Sequence, residues 1–444
     1  MNSMIREYLE THKDEMYRDL EKFTAIPSVS SDKANVTKAL HFILDLASEY
    51  GFDASSVLDD QVGVIEMGSG DETLGILAHV DVVPPGDPED WETDPFEAVI
   101  KDGRMYARGT IDDKGMIIAS LYAMMAVREL GLPLKKKVRL ILGTQEEVKW
   151  TDMDAYVKEY ELPDYGFTPD GEYPICNIEK GGLEICMDFD VSDDKEPDGA
   201  YLKGLDIGVA ANVVPGKAKA YLSDGREITA TGKAVHSCQP EKGTNAIFVL
   251  SDELEGMQLE ESRLQRLLRS ITEDMSDIFG EKLGIYSDTE YYQGEYVHRN
   301  AFSPTMLSAQ DGHASLTVNV RYPYGQDSSE IIDAFAGWAK AHGGAVTDTG
   351  DLPAVFVSKE RPFLKALAEA YDDISPFRNE FTLAYGGSYA KAMPNIVSWG
   401  PLFPGEEDTC HEPNEYIDLG NMLMSAEIFA ESISKIALSE KSFR

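Results

Sequence analysis

The stretch Leu74-Gly75-Ile76-Leu77-Ala78-His79-Val80-Asp81-Val82-Val83-Pro84 decides the fold. The apolar run Leu74 to Ala78 reads as a buried strand that ends on His79 and Asp81. A side chain at the end of such a strand is held rigidly and still reaches a cleft. Working outward, residues 63–67 form a shorter apolar strand. Lys137 to Leu142 is another buried strand, leading into Gly143-Thr144-Gln145-Glu146-Glu147. Between them Gly115 to Leu130 is a long apolar helix. Strands alternating with helices imply an α/β sheet with a parallel component. In such sheets functional groups gather at the carboxyl ends of strands, where His79 and the Glu146-Glu147 pair both lie.

Residues 3–23 carry Met4, Ile5, Leu9, Met16, Leu20 and Phe23 at helical spacing. Residues 35–50 form a second helix, with Gly51 as its stop. From about Gly182 the texture changes. In Ala314 to Tyr322, Leu316, Val318 and Val320 alternate with Thr317, Asn319 and Arg321, as in an antiparallel strand with one buried face. Helical patterns at 243–255, 262–279 and 328–342 lie between and after such strands. The chain therefore divides into a discontinuous α/β domain, residues 1–181 and 353–444, and an inserted α+β domain at 182–352. In the last segment, helices at 361–373 and 418–437 flank a strand near Asn395 to Trp399.

The chain has 444 residues, 43% of them hydrophobic and 27% charged, ordinary for a globular protein. Its net charge of -39 argues against nucleic acid or an anionic membrane as a partner, since both would repel it. Cys176, Cys186, Cys238 and Cys410 show no CxxC spacing, so neither a cysteine zinc site nor a redox pair is expected. Met1 to Phe23 has no apolar core of signal-peptide length. No apolar run approaches the roughly 18 residues of a membrane span. A cytoplasmic location with free thiols is the expectation.

Each candidate site residue has a bland reading when taken singly. His79 alone would be a packed histidine. Asp81, two residues on, could accept its second imidazole N–H and fix the tautomer. In Gly109-Thr110-Ile111-Asp112-Asp113-Lys114-Gly115 an aspartate before a helix is an ordinary N-cap. One suffices for that; Asp112 could then bridge two metals while Asp113 serves the helix. Glu146 and Glu147 could be a solvated pair, Asp170 in Thr168-Pro169-Asp170-Gly171 a turn residue, and His411 a surface residue. As an ensemble they supply what a two-metal hydrolytic site needs: ligands, and a neighbouring carboxylate free to move a proton.

Together these motifs resemble the dinuclear zinc exopeptidase and deacylase family, which includes carboxypeptidase G-type enzymes, succinyl-diaminopimelate desuccinylase and peptidase V. The resemblance covers nearly the whole chain and is closest to the peptidase V-like dipeptidases. It rests on His79-Val80-Asp81-Val82-Val83-Pro84 with Gly86-Asp87, Trp91 and Pro95-Phe96, then Gly103-Arg104 and Arg108-Gly109-Thr110. It continues through Asp112-Asp113-Lys114-Gly115, Gly143 to Glu147, Trp150-Thr151-Asp152-Met153-Asp154 and Phe167-Thr168-Pro169-Asp170. The resemblance implies a mixed-sheet zinc-exopeptidase catalytic domain with the insert as a lid. It implies that His79 and Asp170 bind one divalent metal, Glu147 and His411 a second, and Asp112 both. Zinc suits such a donor set, with manganese or cobalt as substitutes. It further implies a cis peptide between Asp112 and Asp113, Asp81 orienting His79, and Glu146 as general base.

From the insert, Thr231-Gly232-Lys233-Ala234-Val235-His236 resembles the lid motif, which makes His236 the oxyanion donor. Asn212 would touch substrate. Arg321 would pair with a substrate carboxylate, which Gly386, Gly387 and Ser388 would also hold. The chain departs from the family pattern at Val148-Lys149, Met116, the longer Pro88-Glu89-Asp90 loop and Ser388. None of these removes a ligand. The implied activity is hydrolysis of dipeptides or short unblocked peptides by a monomer. The alternatives are an N-acyl amino-acid deacylase on the same scaffold and a binding protein without catalysis.

Overall fold

The computed structural model describes residues 2–286 and 290–444. It divides into two compact units. The first comprises Met1–Asn177, Phe356–Thr382 and Ser388–Arg444; the second comprises Ile178–Val355 and Leu383–Gly387.

In the first unit a mixed sheet runs in the order Asp53–Val57, Val62–Gly68, Lys137–Gly143, Thr73–His79, Tyr165–Thr168, Ile396–Ser398. The last four are mutually parallel and the first two antiparallel, so the sheet is mixed. Thr73–His79 is buried from Leu74 to its end, which explains an apolar run without alternation. One face carries Leu77, Ile141 and Ile396, packed with Met153, Tyr156 and Tyr389. The helix Lys114–Glu129 is buried from Lys114 through Val127, so its all-round apolar character follows from a central place. Leu419–Ala437 starts at Asp418, whose Oδ1 accepts from the amides of Gly420 and Asn421. Register places His79 beside Gly143, and Ser398 beside Thr168. The carboxyl ends of these parallel strands thus share one edge.

The second unit is an antiparallel sheet in the order Glu227–Thr231, Lys217–Leu222, Leu202–Ile207, Ala301–Gln310, His313–Tyr322, Gly181–Asp190, Gly344–Leu352. Its core includes Leu250 and Leu254 of Ala246–Glu255, Leu268 and Ile271 of Arg263–Met275, and Phe335 of Ser328–Ala341. Its bounds differ from the sequence expectation. The break falls at Asn177–Ile178, inside the strand Cys176–Glu179. Leu383–Gly387 joins this unit because the Lys180 amide donates to the Ala384 carbonyl at 3.0 Å and the Tyr385 ring packs against His298. Among the described residues, no helix is long and apolar enough to cross a membrane.

Candidate metal centre

His79 ends its strand fully buried. Its Nδ1 lies 2.9 Å from the Asp81 carbonyl oxygen and 3.4 Å from Asp81 Oδ1. Both neighbours are acceptors, so Nδ1 carries a proton, and Nε2 is the ring atom turned towards the other carboxylates. The nearer partner is the Asp81 carbonyl, with the carboxylate beyond it. That carboxylate has other work. It accepts from the amides of Glu146 at 3.2 Å and Glu147 at 3.4 Å, and from the Ser30 hydroxyl at 2.7 Å.

The peptide Asp112–Asp113 is cis. Asp113 occupies the N-cap position of Lys114–Glu129 but makes no side-chain cap bond. Its Oδ2 instead accepts from the His79 amide at 3.2 Å, so the expected cap is replaced by a brace on the strand end. Asp112 reaches both histidines: Oδ1 is 2.9 Å from His79 Nε2, and Oδ2 is 3.1 Å from His411 Nε2. His411 Nε2 is also 3.1 Å from Glu147 Oε2, and Asp170 Oδ2 is 3.9 Å from His79 Nε2. Donor atoms of His79, Asp112 and Glu147 lie within 4.8 Å of one another, as do those of His79, Glu146 and Asp170. Every metal-ligand candidate from the sequence, with Glu146, is therefore in one cluster at the carboxyl edge of the sheet.

Glu415 was not foreseen. It is fully buried and accepts from Arg108 Nη1 at 2.7 Å and from the amides of Gly109, Ile111 and Asp112 at 3.0 to 3.3 Å. It ties the Asp112 loop to the segment bearing His411. Only its place four residues after His411 hinted at this.

The cluster is electrostatically suited to cations. Burial, reinforced by Asp170, pushes the Glu146 carboxyl well up. Burial and the Asp112 charge raise Glu147 and Asp170 to about 7. Hydrogen bonds to Asp112 and Glu147 raise His411 to about 11. Burial opposes a charge on His79, yet Asp112 and Asp81 raise it well above its usual value. Crowded carboxylates that must otherwise capture protons are the environment a divalent cation neutralises. The buried Nε2 of His79 also has no hydrogen-bond partner, although Asp112 Oδ1 lies beside it. A buried ring nitrogen flanked by carboxylate oxygens fits a metal ligand.

The model of peptidase family M20/M25/M40 matches residues 75–435. The chain belongs to this family. A Bacillus subtilis (strain 168) protein named "Putative dipeptidase YtjP" is 33% identical, over 96% of this chain and 98% of its own length. The crystal structure of human carnosine dipeptidase 1 has a similar fold, with a TM-score of 0.65 at 17% identity over 98% of each chain. So does Bacillus subtilis YXEP, described as a dinuclear metal binding peptidase from the M20 family, with a TM-score of 0.56 at 12% identity over 96% of this chain and 98% of that one. The protein is thus a peptidase, and a hydrolase.

The remaining candidates of this peptidase lie as follows. In the second unit His236 pairs in register with Val213, and the Ser237 amide donates to the Asn212 carbonyl at 2.8 Å, so Asn212 and His236 are neighbours. The Cys238 amide donates to His236 Nδ1 at 3.1 Å, which leaves the ring proton on Nε2. Partial burial and the Arg321 guanidinium lower the His236 pKa, favouring the neutral ring. Arg321 is 9% exposed and faces Gly182, where a Cβ would lie 2.8 Å from its Nη1. Its Nε has no partner, and among the described residues no carboxylate pairs with it. A Cβ added at Gly386 would meet open space. Ser388 belongs to the first unit and caps the turn Tyr389–Lys391 through the Ala390 amide.

Proposed function

We propose that this peptidase hydrolyses dipeptides or short unblocked peptides with two divalent metal ions, zinc being the best match to the donors. The observation that carries the reading is the orphaned Nε2 of buried His79 amid the carboxylates of Asp112, Glu147 and Asp170. His79 and Asp170 would hold one ion, Glu147 and His411 the other, and Asp112 both. When bound, such ions polarise the scissile carbonyl and acidify water.

Glu146 takes the proton from the attacking water and returns it to the leaving amine. Its place in one donor group with His79 and Asp170 supports that role. His236, neutral with its proton on Nε2, donates to the carbonyl oxygen as charge builds there. Arg321, a buried guanidinium with no carboxylate partner among the described residues, binds the terminal carboxylate of the substrate, with Asn212, Gly386, Gly387 and Ser388 as polar contacts. The second unit acts as the lid that brings these groups to the substrate. The protein works as a monomer in the cytoplasm.

Metal analysis combined with a substrate panel tests this. Bound metal with turnover of unblocked dipeptides supports it. Turnover of N-acyl amino acids alone would replace it with a deacylase, and a metal-free preparation that metal cannot activate would end it.

A further inference from the structure

The stretch Trp150–Asp154 has no role in the chemistry above, yet Asp152 is fully buried. A buried carboxylate is unfavourable unless its lone pairs are satisfied. Those of Asp152 are: Oδ2 accepts from the amides of Thr144 at 2.7 Å and Gln145 at 3.1 Å and from the Tyr389 hydroxyl at 2.8 Å, while Oδ1 accepts from the Met153 amide at 2.7 Å. Asp81 holds the next two amides, those of Glu146 and Glu147. Successive N–H groups from Thr144 to Glu147 therefore all end on two buried carboxylates.

The turn is fixed from its carbonyl side as well. Trp150 Nε1 donates to the Glu146 carbonyl at 2.5 Å, and its ring packs edge-on against Tyr389 with centroids 5.5 Å apart. A Cβ at Gly143 would lie 2.2 Å from the Tyr389 hydroxyl, so only glycine lets that hydroxyl reach Asp152. With its backbone held this way, Glu146 has only its side-chain torsions left to place the carboxylate.

We propose that Asp152, oriented by Tyr389, is a positioning residue for Glu146. It fixes the first half of the turn from which Glu146 reaches the reacting atoms, while Asp81 fixes the second half. The proposal rests on Glu146 as the proton-transfer group. Asp152 makes no hydrogen bond to the amides of the ligand Glu147 or the base Glu146, so its effect reaches the base through the turn.

The test is steady-state kinetics with metal stoichiometry on the full chain for Asp152→Asn, Tyr389→Phe, Glu146→Gln and the double variant D152N/E146Q. Asp152→Asn sets an amide against N–H donors. It should lower kcat about ten- to a hundredfold, as misplacement by about an ångström does, with KM and metal content held. Tyr389→Phe should act in the same direction, more weakly. In the Glu146→Gln background, Asp152→Asn should lower kcat no further, because it acts through the group already removed.

Wild-type kcat in Asp152→Asn beside a strongly slowed Glu146→Gln overturns the positioning role alone. Metal loss in folded Asp152→Asn, or additive losses in the double variant, also overturns it. If circular dichroism shows Asp152→Asn unfolded, Tyr389→Phe decides by the same kcat criterion. Full activity in Glu146→Gln instead removes the reading of Glu146 itself.

Discussion

Glu146 and Glu147 are adjacent in sequence yet stand among different donors, while Asp81 holds both their amides. Glu147 meets His411 at 3.1 Å, whereas Glu146 falls in the group with His79 and Asp170. Replacing Glu146 by Ala should therefore keep metal while turnover drops about 10²- to 10⁴-fold. Metal analysis and an assay on one preparation check this, and retained turnover would refute the base. His236→Ala should leave metal content unchanged and lower kcat about 10²-fold, as loss of one oxyanion donor does. Metal loss there would make His236 a ligand. His79, Asp112, Glu146 and Glu147 stood out in the sequence because donors of the right type lay at strand ends and before a helix, whereas His236 was named through the family resemblance alone. The partners of Asp113 and Glu415 were not legible. A sequence shows that a carboxylate precedes a helix, but only the tertiary approach of the His79 amide diverts Asp113 from capping.

At the scale of elements, apolar runs found the parallel strands Thr73–His79, Lys137–Gly143 and Ile396–Ser398, and helical spacing found most helices to within a few residues, but the short parallel strand Tyr165–Thr168 and the helix Thr151–Glu159 escaped. The strand Ala301–Gln310 escaped, since Pro304 argues against an interior strand; the chain accommodates it with a register shift between Pro304 and Met306. Gly344–Leu352 escaped too, being mostly exposed, polar and at the sheet edge. Between Cys176–Glu179 and Gly181–Asp190 sits Lys180, fully buried, its Nζ donating to the Arg299 carbonyl at 2.7 Å. Burial, then the Arg321 charge, lowers it from 10.5 to about 7; Arg299 lowers it further, while Cys238 and Glu241 oppose. Its folded value lies below its unfolded one, so between about pH 7 and 10.5 the unfolded chain binds the extra proton. Lys180 thus makes stability rise with pH across that window, by up to about 1.4 kcal/mol per unit. Lys180→Met should abolish this contribution. Denaturant unfolding at pH 7 and pH 9 would show the variant losing ground to the wild type as pH rises; a pH-independent difference would rule the effect out.

For the whole molecule, the net charge of -39 was legible at once and its local consequence was not. Composition says only that the surface repels anions; the fold concentrates buried carboxylates at the end of one sheet. The metal-ligand candidates His79, Asp112, Glu147, Asp170 and His411 all lie in the first unit, whose segments are far apart in sequence. A bound ion would hold those segments together, so metal binding is linked to folding of that unit and not to the second unit's own core. Ligand at about a thousand times its dissociation constant contributes about 4 kcal/mol. Chelation should therefore lower the melting transition of the first unit, and zinc or manganese should restore it. Ionic strength must be held constant, because salt alone screens the self-repulsion of so acidic a chain. Calorimetry followed by limited proteolysis separates the units: cleavage on chelation should begin within Met1–Asn177 or Ser388–Arg444, while Ile178–Val355 stays protected. If the metal is verifiably removed and neither the melting curve nor the cleavage pattern moves, the carboxylate cluster does not carry a structural cation load, and the metal reading of His79 and His411 fails with it.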